Sequence, residues 1–110
     1  MSGYYEPGDL KQFEQIGDEA PELARAFFDW YGKVFAEGAL SEREKALIAL
    51  AVAHALQCPY CIDAYTQACL EKGSNLEQMT EAVHVAAAIR GGAALVHGVQ
   101  MRKIATRLGM

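Results

Sequence analysis

Two apolar helical segments meet at Gln57-Cys58-Pro59-Tyr60-Cys61-Ile62-Asp63-Ala64-Tyr65, and the Cys-x-x-Cys at that junction constrains the chain more than any other feature. Pro59 cannot donate a backbone hydrogen bond and suits the first position of a new helix. Cys58 then falls near the N-cap and Cys61 near the third helical position. Thiols at a helix start meet unpaired N–H groups and the positive end of the dipole, which favour thiolate over thiol. On that argument alone Cys58 is the more acidic of the two. One sulfur can attack a substrate while the other resolves the resulting sulfenic acid or mixed disulfide.

Zinc is the competing reading of such a pair. It needs two further ligands, yet no second Cys-x-x-Cys is present and the three histidines lack the spacing of a zinc site. Cys69, eight residues past Cys61, lies roughly 12 Å along the same helix, too far for a bridge. It reads as a small core residue, and neither a metal nor a cofactor is expected.

The flanking pattern is helical throughout. Asp9 can cap a short helix bearing Leu10, Phe13 and Ile16 and closed by Gly17. Pro21 opens a second helix with Leu23, Phe27, Trp30, Tyr31 and Val34 at three-and-four spacing; its aromatic stripe of Phe27, Phe28, Trp30, Tyr31 and Phe35 reads as core or subunit interface, with a cofactor or ligand wall as the alternative. Ser41 and Glu44 form a capping box for a third helix, apolar nearly all round and therefore central, reaching about Gln57. The fourth helix runs from Pro59 to Gly73. Ser74-Asn75-Leu76-Glu77 repeats the capping pattern and starts a fifth helix to about Ile89. Gly91-Gly92 interrupts it before a last helix with Lys103 and Arg107 near its end. The expectation is an all-α, single-domain chain over residues 1–110, with about six helices, an extended arm over 1–8 and a central helical hairpin around the cysteines.

A net charge of −4 with interleaved acids and bases argues against nucleic-acid and membrane partners. The N-terminus has no basic start followed by an apolar run, and no stretch of 18 apolar residues is apparent, so a cytoplasmic protein is expected. An apolar fraction of 52%, much of it alanine, is more than 110 residues readily hide, which points to a homo-oligomer.

Four side chains besides Cys61 and Cys58 carry alternative readings. His54 precedes Cys58 by four; if the helix continues to the junction the two lie on neighbouring turns, where the imidazole can take a thiol proton, and otherwise it is a core histidine. Glu44 lies about 21 Å before Cys58 along a straight helix, so it is a cap, or it acts by folding back or from a neighbouring chain. Tyr65, four after Cys61, can donate a hydrogen bond to that sulfur or to a bound peroxide, or pack as a core tyrosine. Asp63 faces solvent or supports a partner. His84 and His97 read as hydrogen-bonded core histidines.

The stretch from Glu42 to Thr66, together with Glu81-Ala82-Val83 and Ile89-Arg90-Gly91-Gly92, resembles the carboxymuconolactone decarboxylase-like superfamily and within it the alkylhydroperoxidase D-like branch. With the Tyr4-Tyr5 arm, the chain is most similar to the small peroxidase-like proteins associated with arsenosugar biosynthesis. The resemblance implies an all-α trimer or hexamer with two-cysteine peroxidase or disulfide reductase activity and neither metal nor haem. Hydroperoxide is the implied substrate, and a dithiol or thioredoxin-like protein the reductant. By position Cys61 matches the peroxidatic cysteine and Cys58 the resolving one, the reverse of the order the dipole suggests. The chain departs from the pattern at Ala46, where a relay glutamate usually falls, and at Tyr65, where a histidine does. Branches with a glutamate farther upstream and a histidine four before the pair match Glu44 and His54. The alternatives are the decarboxylase chemistry of the superfamily's name, which requires no Cys-x-x-Cys, and a redox-sensing oligomer without catalysis.

Overall fold

The computed structural model describes residues 3–109. All regular elements among them are helical: a 3-10 helix, Leu10–Gly17, then α1 (Pro21–Phe35), α2 (Glu42–Leu56), α3 (Pro59–Glu71), α4 (Leu76–Val96) and α5 (Gly98–Arg107). The expected all-α class holds, with α2 and α3 as the central hairpin.

The caps explain most boundaries. The Glu44 N–H donates to Ser41 Oγ at 3.0 Å, and Glu44 Oε1 accepts the Ser41 N–H at 2.7 Å, so the capping box of α2 is closed in both directions. At α4 the box sits one residue later than the sequence suggests: Asn75 caps it and is capped in return by Gln78. Ser74 instead belongs to the end of α3, where its N–H reaches back to the Cys69 carbonyl at 2.9 Å. Gly73, at φ 92, supplies the left-handed residue this closure requires. Asp9 also departs from expectation. It makes no side-chain cap, and its carboxylate accepts the Glu6 N–H at 2.9 Å.

Gly91 and Gly92 do not interrupt α4, which continues to Val96. Neither has positive φ, so both sit in helical conformation, and their cost of about 1 kcal/mol each is carried by the flanking turns. The break falls at His97 instead. His97 and His84 are both exposed in the single chain, not core residues as expected.

The core is small and built on α2. Ala46, Leu50 and Ala53 from α2 are buried with Cys69 of α3 and with Met79 and Ala86 of α4. Leu50 and Cys69 are the largest side chains fully enclosed. The alanines let the helices approach closely, but they bury little area per residue. A compact chain of this length has a radius of gyration of about 13 Å. This one has 18.8 Å and measures 58 × 36 × 36 Å, an extended shape. Leu76, Ile89 and Leu95 are left 76%, 69% and 81% exposed. By length and composition alone the Leu76–Arg107 segment is apolar enough to cross a membrane, with a window of mean hydropathy 1.3. The apolar character comes from scattered Ala, Val and Leu rather than a continuous run, which is why it is easily overlooked in the sequence.

Candidate thiol site

The site is made where α2 stops and α3 starts. Gln57 takes a left-handed conformation, φ 57 and ψ 49, at a position where glycine is usual. That turn directs the Cys58 N–H back to the Ala53 carbonyl at 3.1 Å, closing α2. The Cys58 side chain meanwhile caps α3, its sulfur accepting the Cys61 N–H at 3.3 Å. One residue therefore ends one helix and begins the next. Pro59 at N1 and Cys61 at N3 stand as the sequence predicts, and the two sulfurs lie 2.7 Å apart as free thiols.

Both sulfurs open onto a cavity of about 640 Å³ between the 3-10 helix, α1 and α3. Its walls are mostly apolar and aromatic: Leu10, Phe13 and Ile16, Tyr31 of α1, and Tyr60 and Tyr65 of α3. Asp9 and Glu19 are the acidic groups on it. The aromatic wall is continuous, since the Phe35 ring lies 5.0 Å from Tyr31 and is stacked 5.2 Å from Tyr65. The 3-10 helix approaches α1 closely at Gly17, where a Cβ would collide with the Ala24 side chain.

Burial pushes the Cys61 thiol up to about 11, reinforced by the hydrogen bond and charge of Cys58 and opposed by a backbone N–H. The Tyr31 phenol is also raised, first by burial and then by the charges of Cys61 and Cys58. Tyr31 is the site residue that sequence reasoning missed. Its place in a helical aromatic stripe reads as packing ahead of a ligand wall, and only its polar tip, in line with Phe35 one turn on, hints at more.

Of the other candidates, Tyr65 joins the sulfurs on the cavity wall. His54 lines a different depression, with Tyr5, Gln57, Pro59, Ile62 and Asp63. The left-handed turn at Gln57 removes the helical continuity that would have set His54 and Cys58 on neighbouring turns of one helix. His54 Nδ1 lies 2.8 Å from the Leu50 carbonyl, which can only accept, so Nδ1 is the donor in that contact. Glu44 is exposed in its capping box at the opposite end of α2, and the Ser41 backbone and hydroxyl hold its carboxyl below the usual range. Cys69 is enclosed in the core, as expected. Asp63 is tied to the arm: the Tyr5 hydroxyl donates to it, and the Tyr5 ring meets Tyr60 edge-on at 4.7 Å. Tyr4 is 91% exposed, so of the two arm tyrosines Tyr5 docks. No group of three His, Cys, Asp or Glu side chains among the described residues comes together to hold a metal ion.

A helical hairpin with a dithiol at its bend, facing an aromatic cavity, defines a class, and comparison with known proteins gives it a family. Residues 21–102 match the carboxymuconolactone decarboxylase family, and the chain belongs to that family. A Paracoccus denitrificans protein designated uncharacterized protein 4 in the cox locus is 52% identical over 64 residues, 58% of this chain and 58% of that protein. The chain thus matches less than two thirds of that relative's length. A crystal structure of a Methanobacterium thermoautotrophicum protein superposes with a TM-score of 0.74 at 37% identity, covering 76% of this chain and 94% of the other. A carboxymuconolactone decarboxylase family protein from Legionella pneumophila, solved in its apo form, gives 0.67 at 31% identity, covering 81% and 80%.

Proposed function

We propose that the chain is a thiol-dependent peroxidase or disulfide oxidoreductase that cycles Cys58 and Cys61 between dithiol and disulfide. The observation that carries this reading is the 2.7 Å approach of two free sulfurs on the wall of a cavity large enough for an organic substrate. Peroxide chemistry needs a thiolate. Once the pair loses one proton, the other is held between the sulfurs, and shifting it to Cys58 frees Cys61 to attack.

The Cys61 thiolate then attacks the terminal oxygen of a hydroperoxide, the O–O bond breaks, and Cys61 becomes a sulfenic acid. The departing alkoxide takes the proton held by Cys58 and leaves as an alcohol. The Cys58 thiolate attacks the sulfenic sulfur, forming the disulfide and expelling hydroxide, which takes a proton from solvent to become water. A dithiol or thioredoxin-like reductant restores the pair at Cys58. Overall, one hydroperoxide and two thiols give one alcohol, one water and one disulfide.

Tyr65 supports this site from within the cavity. His54, through Nε2, exchanges protons with solvent beside the junction. Glu44 serves a thiol pair only across a subunit boundary, since one chain keeps it at the far end of α2. The exposed leucines of α4 and the extended shape favour a homo-trimer or homo-hexamer in which these surfaces are covered. A reducing, cytoplasmic setting suits a pair that must be returned to the dithiol. The test is hydroperoxide consumption with a dithiol, on wild type and on Cys61→Ser. Turnover that vanishes in Cys61→Ser supports the reading, and equal rates in the two proteins refute it.

A further inference from the structure

We propose that the Tyr31 hydroxyl is the hydrogen-bond donor to the thiol pair, stabilising the Cys61 thiolate and then the alkoxide oxygen leaving a hydroperoxide. The second half rests on the peroxidase reading above; the first half stands without it.

Geometry carries the assignment. Tyr31 is the single side chain that α1 contributes to the cavity wall holding both sulfurs, among the described residues. Its neighbours on the helix, Phe27 and Trp30, are 42% and 61% exposed, whereas Tyr31 is half-buried. The ring is fixed on two sides, 5.4 Å from Phe27 and 5.0 Å from Phe35, so the position of its hydroxyl is set by packing. A donor with little freedom left to lose stabilises a developing charge most effectively.

Two other phenols share the cavity and are less well suited. The Tyr60 ring is engaged edge-on by Tyr5, and its ionisation is opposed by burial and by Asp9 and Tyr4 ahead of Cys58. Tyr65 is on the same helix as Cys61, with its ring face stacked on Phe35. Tyr31 approaches the sulfurs from a separate element, and after burial the two charges that oppose its ionisation are those of Cys61 and Cys58. Ionisation of Tyr31 is thereby opposed, which favours the neutral O–H form that can donate.

In the reaction the phenol keeps its proton. The hydrogen bond it gives moves from the thiolate to the alkoxide oxygen as charge leaves sulfur, while the proton that completes the alcohol comes from Cys58.

The experiment compares wild type, Tyr31→Phe and Tyr65→Phe as full chains in the reduced state. Phe keeps the aromatic packing, and the remaining ionisable groups on the wall, Asp9, Glu19 and Tyr60, are the same in all three. The first readout is iodoacetamide alkylation at Cys61 against pH, located by mass spectrometry. Tyr31→Phe is expected to shift the profile upward by about half a pH unit, or about threefold slower alkylation at fixed pH. An unchanged profile overturns the assignment, as does an equal shift in Tyr65→Phe. The second readout is the rate of disulfide formation with cumene hydroperoxide. A loss of about tenfold or more in Tyr31→Phe, beyond the alkylation effect, is expected for a donor to the leaving oxygen. A loss no larger than the alkylation effect removes that part of the proposal. Failure of the peroxidase reading itself is seen separately, as cysteine-independent behaviour of wild type against Cys61→Ser, and leaves the alkylation result to decide on Tyr31.

Discussion

The Cys58 thiol donates to the Cys61 sulfur at 2.7 Å, and the Cys58 sulfur in turn accepts the Cys61 N–H. Burial and the neighbouring Cys58 hold the Cys61 proton more tightly than an ordinary thiol does, on the residue proposed to attack peroxide. How that proton is held is measurable.

Replacing Cys58 with Ala removes the hydrogen bond and the charge that raise Cys61 and leaves only burial to do so. Cys61 is expected to titrate below about 11 but above an ordinary thiol in Cys58→Ala. The pH profile of its alkylation measures this. Because the folded state holds the Cys61 proton more tightly than the unfolded chain does, its contribution to stability is present below the ordinary thiol pKa. That contribution falls as pH rises toward about 11, and the alkaline loss shrinks in Cys58→Ala.

Gln57→Gly relieves the left-handed backbone while leaving the turn in place. The variant is expected to be as stable as wild type or more stable by up to about 1 kcal/mol, with thiol reactivity retained. Thermal unfolding with alkylation rates decides. A loss of stability shows that the Gln57 side chain, which lines the depression beside His54, contributes more than its backbone costs.

Gly17→Ala places a methyl against Ala24 and drives the 3-10 helix off α1. Overpacking of this kind costs about 1–3 kcal/mol. Since the same 3-10 helix walls the cavity, Cys58 and Cys61 should also react several times faster with a bulky maleimide. Wild-type unfolding and reactivity in this variant refute the contact.

Tyr5→Phe keeps the ring against Tyr60 and deletes the hydrogen bond that is the main cause of the low Asp63 carboxyl pKa, with Gln67 as the second. Asp63 should titrate closer to an ordinary carboxyl, as read by NMR of its side chain. In wild type the tie contributes above the ordinary carboxylate range and weakens as pH falls through the depressed Asp63 pKa. The variant lacks that tie, so its arm docking should lose this acid dependence.

Most of the helical framework was readable because its signals are local. Ser41 with Glu44, Pro59 at N1 and Cys58 at the N-cap each depend on residues a few positions apart. Gly91-Gly92 misled because glycine's penalty is small against the cooperativity of a long helix. Ser74 and Asn75 are both good caps, and the choice between them was made by the closure of α3, a competing local structure. The thiol cavity was legible only in part. Tyr65 follows from helical spacing, whereas Tyr31 and the Tyr5–Asp63 tie arise from chain segments that no periodicity connects. The pairing of His54 with Cys58 depends on one helix running through the junction, and a single left-handed residue, Gln57, ends α2 before it.

The double duty of Cys58 makes redox chemistry and secondary structure one thermodynamic system. Its sulfur stabilises the first turn of α3 best when it is electron-rich, so reduction and helix initiation favour each other, and oxidation or alkylation at Cys58 weakens the start of the helix it caps. By linkage, a change that steadies that turn only while Cys58 is a thiolate also makes the pair harder to oxidise. Amide hydrogen exchange in the first turn of α3 would thus report the oxidation state of the pair without any probe of sulfur.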